Sequence, residues 1–359
     1  MEPVTHFLTG ACLGRAGFNR RTALATATMT LAAEAPDLDV FLRFRGPVFG
    51  LAHHRGFTHS FLGLLLVSAL VVGFMYLVWR LRGQPIKDPQ RPPRWGMLFL
   101  FAYIAGLSHL LLDFTNNYGI RPFWPFWEKW YSWDIVFIIE PVMYVLLVAG
   151  LVLPFLFGLV NEEIGAHERG LKGRGAAIAA LAGVLLMYGV RDYEHRRAVA
   201  AMNARPYQNA DAVRVSAYPV MITPFRWYGV AETRDFFALV PVDSKIPEVD
   251  PTDQMVIRYK PEETPVTLAA KRSYLGRVYL DWAVYPITET EALGNGDSRV
   301  QFEDLRYWYS ARALPWLRRD NSRPLGAGVE LNRSLQVKSY LFGNQSFPPE
   351  DGDIAAAGK

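Results

Sequence analysis

The chain has almost no cysteine and, over long stretches, no charge. Its 359 residues include one cysteine, Cys12, which excludes an intramolecular disulfide and leaves any domain in an oxidising compartment to be held by packing alone. The amino terminus lacks a basic run, and Glu2 and His6 stand where the apolar core of a cleavable signal peptide would begin, so no such signal is expected. From Arg191 onward net charge is missing too. That half holds 22 Lys plus Arg and 22 Asp plus Glu, so the formal +4 of the chain lies wholly in the first 190 residues and a nucleic-acid footprint is not indicated. No internal repeat is evident.

Charge is scarcest in four apolar segments, 61–79, 96–113, 135–160 and the shorter 175–190, whose only acids are Asp113 and Glu140. A helix rises about 1.5 Å per residue and hydrocarbon is about 30 Å thick, so these predict four transmembrane helices. Two shorter segments, 3–13 and 22–33, predict short N-terminal helices that either span or re-enter. The expected fold is thus an α-helical polytopic membrane bundle over residues 1–190. A small α+β or β-rich soluble domain follows over 191–347, and then a flexible tail, 348–359. Within the soluble domain, strands are expected at 212–222 and 236–242, a helix at 269–282, and a turn at Gly294-Asn295-Gly296-Asp297.

Basic residues suggest an orientation. Arg80, Arg82, Lys87, Arg91 and Arg94, with Asp88 as the only acid among them, follow the first strong span. Arg15, Arg20 and Arg21, and later Arg169, Lys172 and Arg174, fall on the same side of the threaded chain. The positive-inside rule puts this side in the cytoplasm of an inner-membrane, multi-pass protein. His6, Asp37, Asp39, His53, His54, His59, His109 and Asp113 then emerge at the opposite, periplasmic face, as does the C-terminal domain. Trp124, Trp127, Trp130, Tyr131 and Trp133 cluster there as an interfacial aromatic belt would.

Five of the seven histidines precede residue 110, three of them within His53-His54-Arg55-Gly56-Phe57-Thr58-His59-Ser60. His109 and Asp113 are one helical turn apart and point from one helix face, so both can reach one ion. Imidazole mixed with carboxylate suits Zn, Mn or Fe, as one or two ions, whereas Mg prefers oxygen alone. Arg55, always charged and bidentate, suits a phosphate oxygen. Thr58 and Ser60 read as donors that orient ligands. Each residue also has a structural reading: Asp37 and Asp39 as caps of a helix, His53 as a solvated loop residue, His6 and His109 as polar links between helices. Glu140 within a span calls for a partner, which the sequence does not name. His167 and His195, beside charged loops, read as surface residues.

The order Thr5-His6, Pro36-Asp37-Leu38-Asp39, His54-Arg55-Gly56-Phe57-Thr58-His59-Ser60, then His109 and Asp113, resembles the membrane-bound metal-dependent hydrolase family, also called YdjM-like, over roughly residues 1–160. Pro224-Phe225-Arg226-Trp227 is similar to the longer members that carry a C-terminal domain. The family's pattern is similar to that of zinc-dependent phospholipases C. The resemblance implies metal ligands at His6, Asp37, His54, His59, His109 and Asp113, with Asp39 a ligand or a catalytic carboxylate behind one; Arg55, from its own chemistry, is expected to act on substrate. The expected function is metal-dependent hydrolysis of a phosphoester, such as a phospholipid or lipid-linked phosphate. The alternative is a non-enzymatic metal- or lipid-binding membrane protein whose C-terminal domain recruits a partner.

Overall fold

The computed structural model describes residues 1–83, 91–163, 173–308 and 325–350. Lys87, Asp88, His167, Arg169, Lys172 and most of the expected tail lie outside the described residues. The chain divides into two compact units: Met1–Asp39, Arg55–Arg197 and Pro219–Arg226 form the first, and Val40–His54, Ala198–Tyr218 and Trp227–Lys359 the second.

The first unit is helical. Helix α1 (Pro3–Arg15) starts with Pro3 at its first turn and Glu2 as its cap, whose carboxylate accepts the Val4 and Thr5 N–H groups. It packs on α2 (Ala25–Glu34) through Gly10 and Gly14. A Cβ at Gly10 would lie 2.8 Å from the Ala33 Cβ, and one at Gly14 2.6 Å from the Thr26 Cα, so this close approach requires the small-xxx-small spacing. Beyond the short α3 (Pro47–His53), which belongs to the second unit, come α4 (Phe61–Leu81), α5 (Trp95–Thr115), α6 (Pro141–Glu163) and α7 (Arg174–Asn203).

Three helices, α4, α5 and α7, are long and apolar enough to cross a membrane. The third of the four expected spans is modified: its helix begins at Pro141 rather than at 135, because proline favours a first turn and disfavours what precedes it in helix. Pro154 sits inside that helix, and over the residues searched it counts as a shorter apolar helix, Pro141–Leu156. Helix α7 runs past 190 as far as Asn203. Glu140 has its partner here. It lies 2.6 Å from the Arg191 guanidinium and accepts the Ile222 N–H at 3.1 Å, which ties the loop 219–226 to this unit.

The second unit is β-rich, with two five-stranded sheets. One runs β1 (Arg214–Pro219), β2 (Arg226–Glu232), β3 (Phe236–Asp243), β4 (Glu248–Val249), with β5 (Val256–Tyr259) also paired to β3. The other is an antiparallel meander of β6 (Pro286–Ala292), β7 (Ser298–Asp304), β8 (Ala327–Leu331), β9 (Val337–Phe342) and β10 (Gln345–Phe347). The expected turn at 294–297 joins β6 to β7. The helix expected at 269–282 is two helices, α8 (Pro265–Arg272) and α9 (Tyr274–Trp282). The Ser273 hydroxyl accepts the Gly276 N–H and starts α9 afresh. Trp227, Phe236, Val240 and Met202 form the core against the first sheet. Glu350 accepts the Val48 and Phe49 N–H groups, each at 2.8 Å, and so fixes the start of α3.

Candidate metal centre

Four side chains converge in the first unit: Asp37, His59, His109 and Asp113, with ligand atoms all within 4.8 Å of one another. Asp37 and Asp39 ride on a 3-10 stretch, Ala35–Arg45, that follows α2. His59 ends the single turn Phe57–His59. Ser60 then caps α4 by accepting the Gly63 N–H at 2.9 Å. A Cβ at Gly63 would come within 1.8 Å of the Phe57 carbonyl oxygen, so only glycine lets the turn fold down and present His59. His109 and Asp113 stack one turn apart on α5, and both are fully buried.

Five of the six separations among these atoms are close to those expected around one ion. His59 Nε2 is 3.3 Å from Asp37 Oδ1 and 3.3 Å from Asp113 Oδ2. His109 Nε2 is 3.6 and 3.4 Å from the same two oxygens, and 3.0 Å from His59 Nε2. Four ligands about 2.1 Å from one ion at the tetrahedral angle stand about 3.4 Å from each other. The far nitrogens are also fixed. His109 Nδ1 donates to the Ala33 carbonyl at 2.7 Å, leaving the Nε2 lone pair for the centre. His59 Nδ1 faces Asp39 Oδ2 at 3.3 Å and Thr58 Oγ1 at 3.0 Å.

Asp39 therefore stands behind His59 rather than among the four. Its Oδ2 also accepts the Arg55 N–H at 2.8 Å. His6 is stacked on His109 with ring centroids 3.8 Å apart, and its Nε2 looks at the other oxygens of the same carboxylates, 3.5 Å from Asp113 Oδ1 and 4.0 Å from Asp37 Oδ2. Neither His6 ring nitrogen has a hydrogen-bond partner among the described residues, nor does Asp113 Oδ2, although all three are buried. Such polar atoms are costly unless something else satisfies them, and cations at the cluster would do so for Asp113 Oδ2 and one His6 nitrogen. His54 ends α3 in the second unit and is not one of the four; His53 Nδ1 sits 2.9 Å from the Phe49 carbonyl oxygen.

Arg55 is held on every side. Its guanidinium donates to Asp113 Oδ1 at 2.9 Å and to the Gly119 carbonyl at 3.2 Å, and it lies over the Tyr118 ring at 4.7 Å. The α-amino group of Met1, buried and hydrogen-bonded to the same Asp113 oxygen, was not anticipated. The signal for it is that Pro3 at the first turn and His6 in the site bring residue 1 within reach of that site. Burial by itself would raise the Asp37 carboxyl. The hydrogen bond from His59, with the nearby imidazoles and the Arg55 charge, outweighs it and holds the group well below the usual carboxylate range. In the expected aromatic belt, Trp127 is exposed, Trp133 donates to Asp192 at 2.8 Å, and Trp130 stacks on Arg121.

Apolar helices that end in a buried cluster of imidazoles and carboxylates define a membrane protein with a candidate metal site. Sequence comparison is more specific: residues 1–198, over half of the chain, match the YdjM inner membrane protein family, and the chain belongs to it. It is also similar to the uncharacterized protein YfhP of Bacillus subtilis (strain 168), 31% identical over 134 residues that cover 34% of this chain and 38% of that protein. The chain thus matches well under half of that relative's length. No solved structure matches.

Proposed function

We propose that the protein is a multi-pass, membrane-bound metal-dependent hydrolase of a phosphoester such as a phospholipid or a lipid-linked phosphate. The observation that carries this reading is the convergence of Asp37 Oδ1, His59 Nε2, His109 Nε2 and Asp113 Oδ2, five of whose separations fall between 3.0 and 3.6 Å. A donor set of two imidazoles and two carboxylates suits zinc, with manganese or iron as alternatives. When bound, such an ion polarises a phosphoryl oxygen and makes water acidic enough to supply hydroxide near neutral pH.

The chain's own residues do the rest. Asp39 fixes the tautomer and the tilt of His59, and Ala33 does so for His109. Both carboxylates turn their second oxygens toward His6, and a second ion held by His6, Asp37 and Asp113 would take the place of the Met1 α-amino group now on Asp113 Oδ1. Arg55 is positioned by Tyr118 and Gly119 to take a non-reacting phosphate oxygen in exchange for Asp113. Arg15 at the end of α1, Arg20 and Arg21 in and after the turn that follows it, and Arg94 and Arg174 at the starts of α5 and α7 support an orientation with the metal centre at the outer face.

The test is hydrolysis in vesicles that contain phospholipid or a lipid-linked phosphate. Purified protein with added zinc should release product, and Asp113→Asn should abolish turnover while leaving the helical circular-dichroism signal intact. Zinc binding with no turnover on either class would favour the non-enzymatic alternative.

A further inference from the structure

At the other end of the first unit lies a cavity of about 610 Å³ lined by Ala16, Gly17, Phe18, Arg20, Arg21, Met97, Phe101 and Arg174. Met97 and Phe101 belong to the first two turns of α5, whereas His109 and Asp113 belong to its last two. At 1.5 Å per residue, Met97 and Asp113 are about 24 Å apart along the axis. A helix of about 31 Å spans the hydrocarbon, so the two sites face opposite membrane surfaces.

The cavity joins three guanidinium groups to an apolar floor. Phe18 meets Phe101 edge to face at 4.7 Å, and the Arg174 Nε donates to the Ala16 carbonyl at 3.1 Å, which draws its guanidinium over Gly17. One wall is pinned by Thr22, whose hydroxyl accepts the Arg94 N–H at 2.8 Å. The acids nearest this end in sequence are Asp88, Glu162, Glu163 and Glu168, and among the described residues none of the three lining arginines forms an ion pair. Three arginines around an open cavity attract an anion, and their planar forks suit phosphate. Aromatic and thioether surface at the level of a membrane interface suits the glycerol and first methylenes attached to that phosphate. A free phosphate ion would leave this floor unused.

We propose that this arginine-lined cavity binds the phosphate headgroup of an anionic phospholipid at the membrane face remote from the metal centre. The proposal does not depend on hydrolase activity. Basic pockets beside membrane helices hold such headgroups, at about fivefold in affinity per basic residue.

The test uses the full-length protein in mild detergent, supplied with phosphatidylglycerol or phosphatidylcholine and analysed by native mass spectrometry. The parent should retain phosphatidylglycerol and not phosphatidylcholine. The Arg20→Gln/Arg21→Gln/Arg174→Gln variant should hold it on the order of a hundredfold more weakly, and the corresponding triple Lys variant should recover part of the binding. Circular dichroism of each variant establishes that the fold is retained. Equal retention by the parent and the Gln variant would overturn the proposal. So would displacement of the lipid by inorganic phosphate that stabilises the protein equally well, which would identify a site for free phosphate.

Discussion

Asp39→Asn separates a metal ligand from a residue that holds a ligand in place. Asp39 Oδ2 is 3.3 Å from His59 Nδ1, on the side of the ring away from the cluster, and it accepts the Arg55 N–H at 2.8 Å. Asparagine has nearly the same shape and keeps an oxygen for Arg55, but it loses the charge that makes His59 a stronger donor. Losses of this kind cost about 10- to 100-fold in metal affinity, or about 1.4–2.7 kcal/mol. With free zinc at about a thousand times the parent Kd, binding stabilises the parent by about 4.1 kcal/mol, and the variant at the same zinc by about 1.4–2.7 kcal/mol. Competition with a chromophoric chelator measures the affinity, and thermal melts with and without zinc measure the stabilisation. Parent-like values in both would refute the orienting role. Loss as complete as in His59→Ala would make Asp39 a ligand.

Breaking the buried pair of Glu140 and Arg191 on one side only, with Arg191→Met, should cost about 3–5 kcal/mol, because a buried carboxylate is left unpaired. The Glu140→Gln/Arg191→Met double variant should recover most of that loss in denaturant melts. On acidification Asp37, whose carboxyl is held below its ordinary value, keeps its charge and its contribution until pH falls well under about 3.9. Metal release on acidification should therefore follow protonation of the imidazole ligands rather than of Asp37, and metal retained at a pH low enough to unfold the protein would contradict this assignment of ligands. Cys12 is buried, so cysteines introduced at Trp127 and Arg82 can be labelled selectively. An impermeant maleimide should reach position 127 from the outer side in intact cells, and reaction at position 82 instead would reverse the proposed orientation.

Much of the site was legible from local pattern. The i,i+4 spacing of His109 and Asp113 is a property of any helix, and the turn that presents His59 is written in Gly56, Ser60 and Gly63. Other features depended on contacts distant in sequence. Nothing local separates Asp37 from Asp39, and only the packing of the 3-10 stretch turns one toward the centre and the other toward His59 Nδ1. Nothing local assigns His54 to the second unit, where α3 begins on the carboxylate of Glu350, about three hundred residues away. The run 269–282 reads as one amphipathic helix until Ser273 caps a second, and the strand order of both sheets is fixed by pairings that no short window contains.

The account rests on the cluster being a metal centre, and metal content tests it most directly. Elemental mass spectrometry on detergent-purified parent protein, beside a folded His59→Ala/Asp113→Asn variant, should find one or two equivalents of zinc, manganese or iron in the parent and none in the variant. A parent expressed with ample metal that carries no transition metal, or a variant that carries as much as the parent, would contradict the central claim.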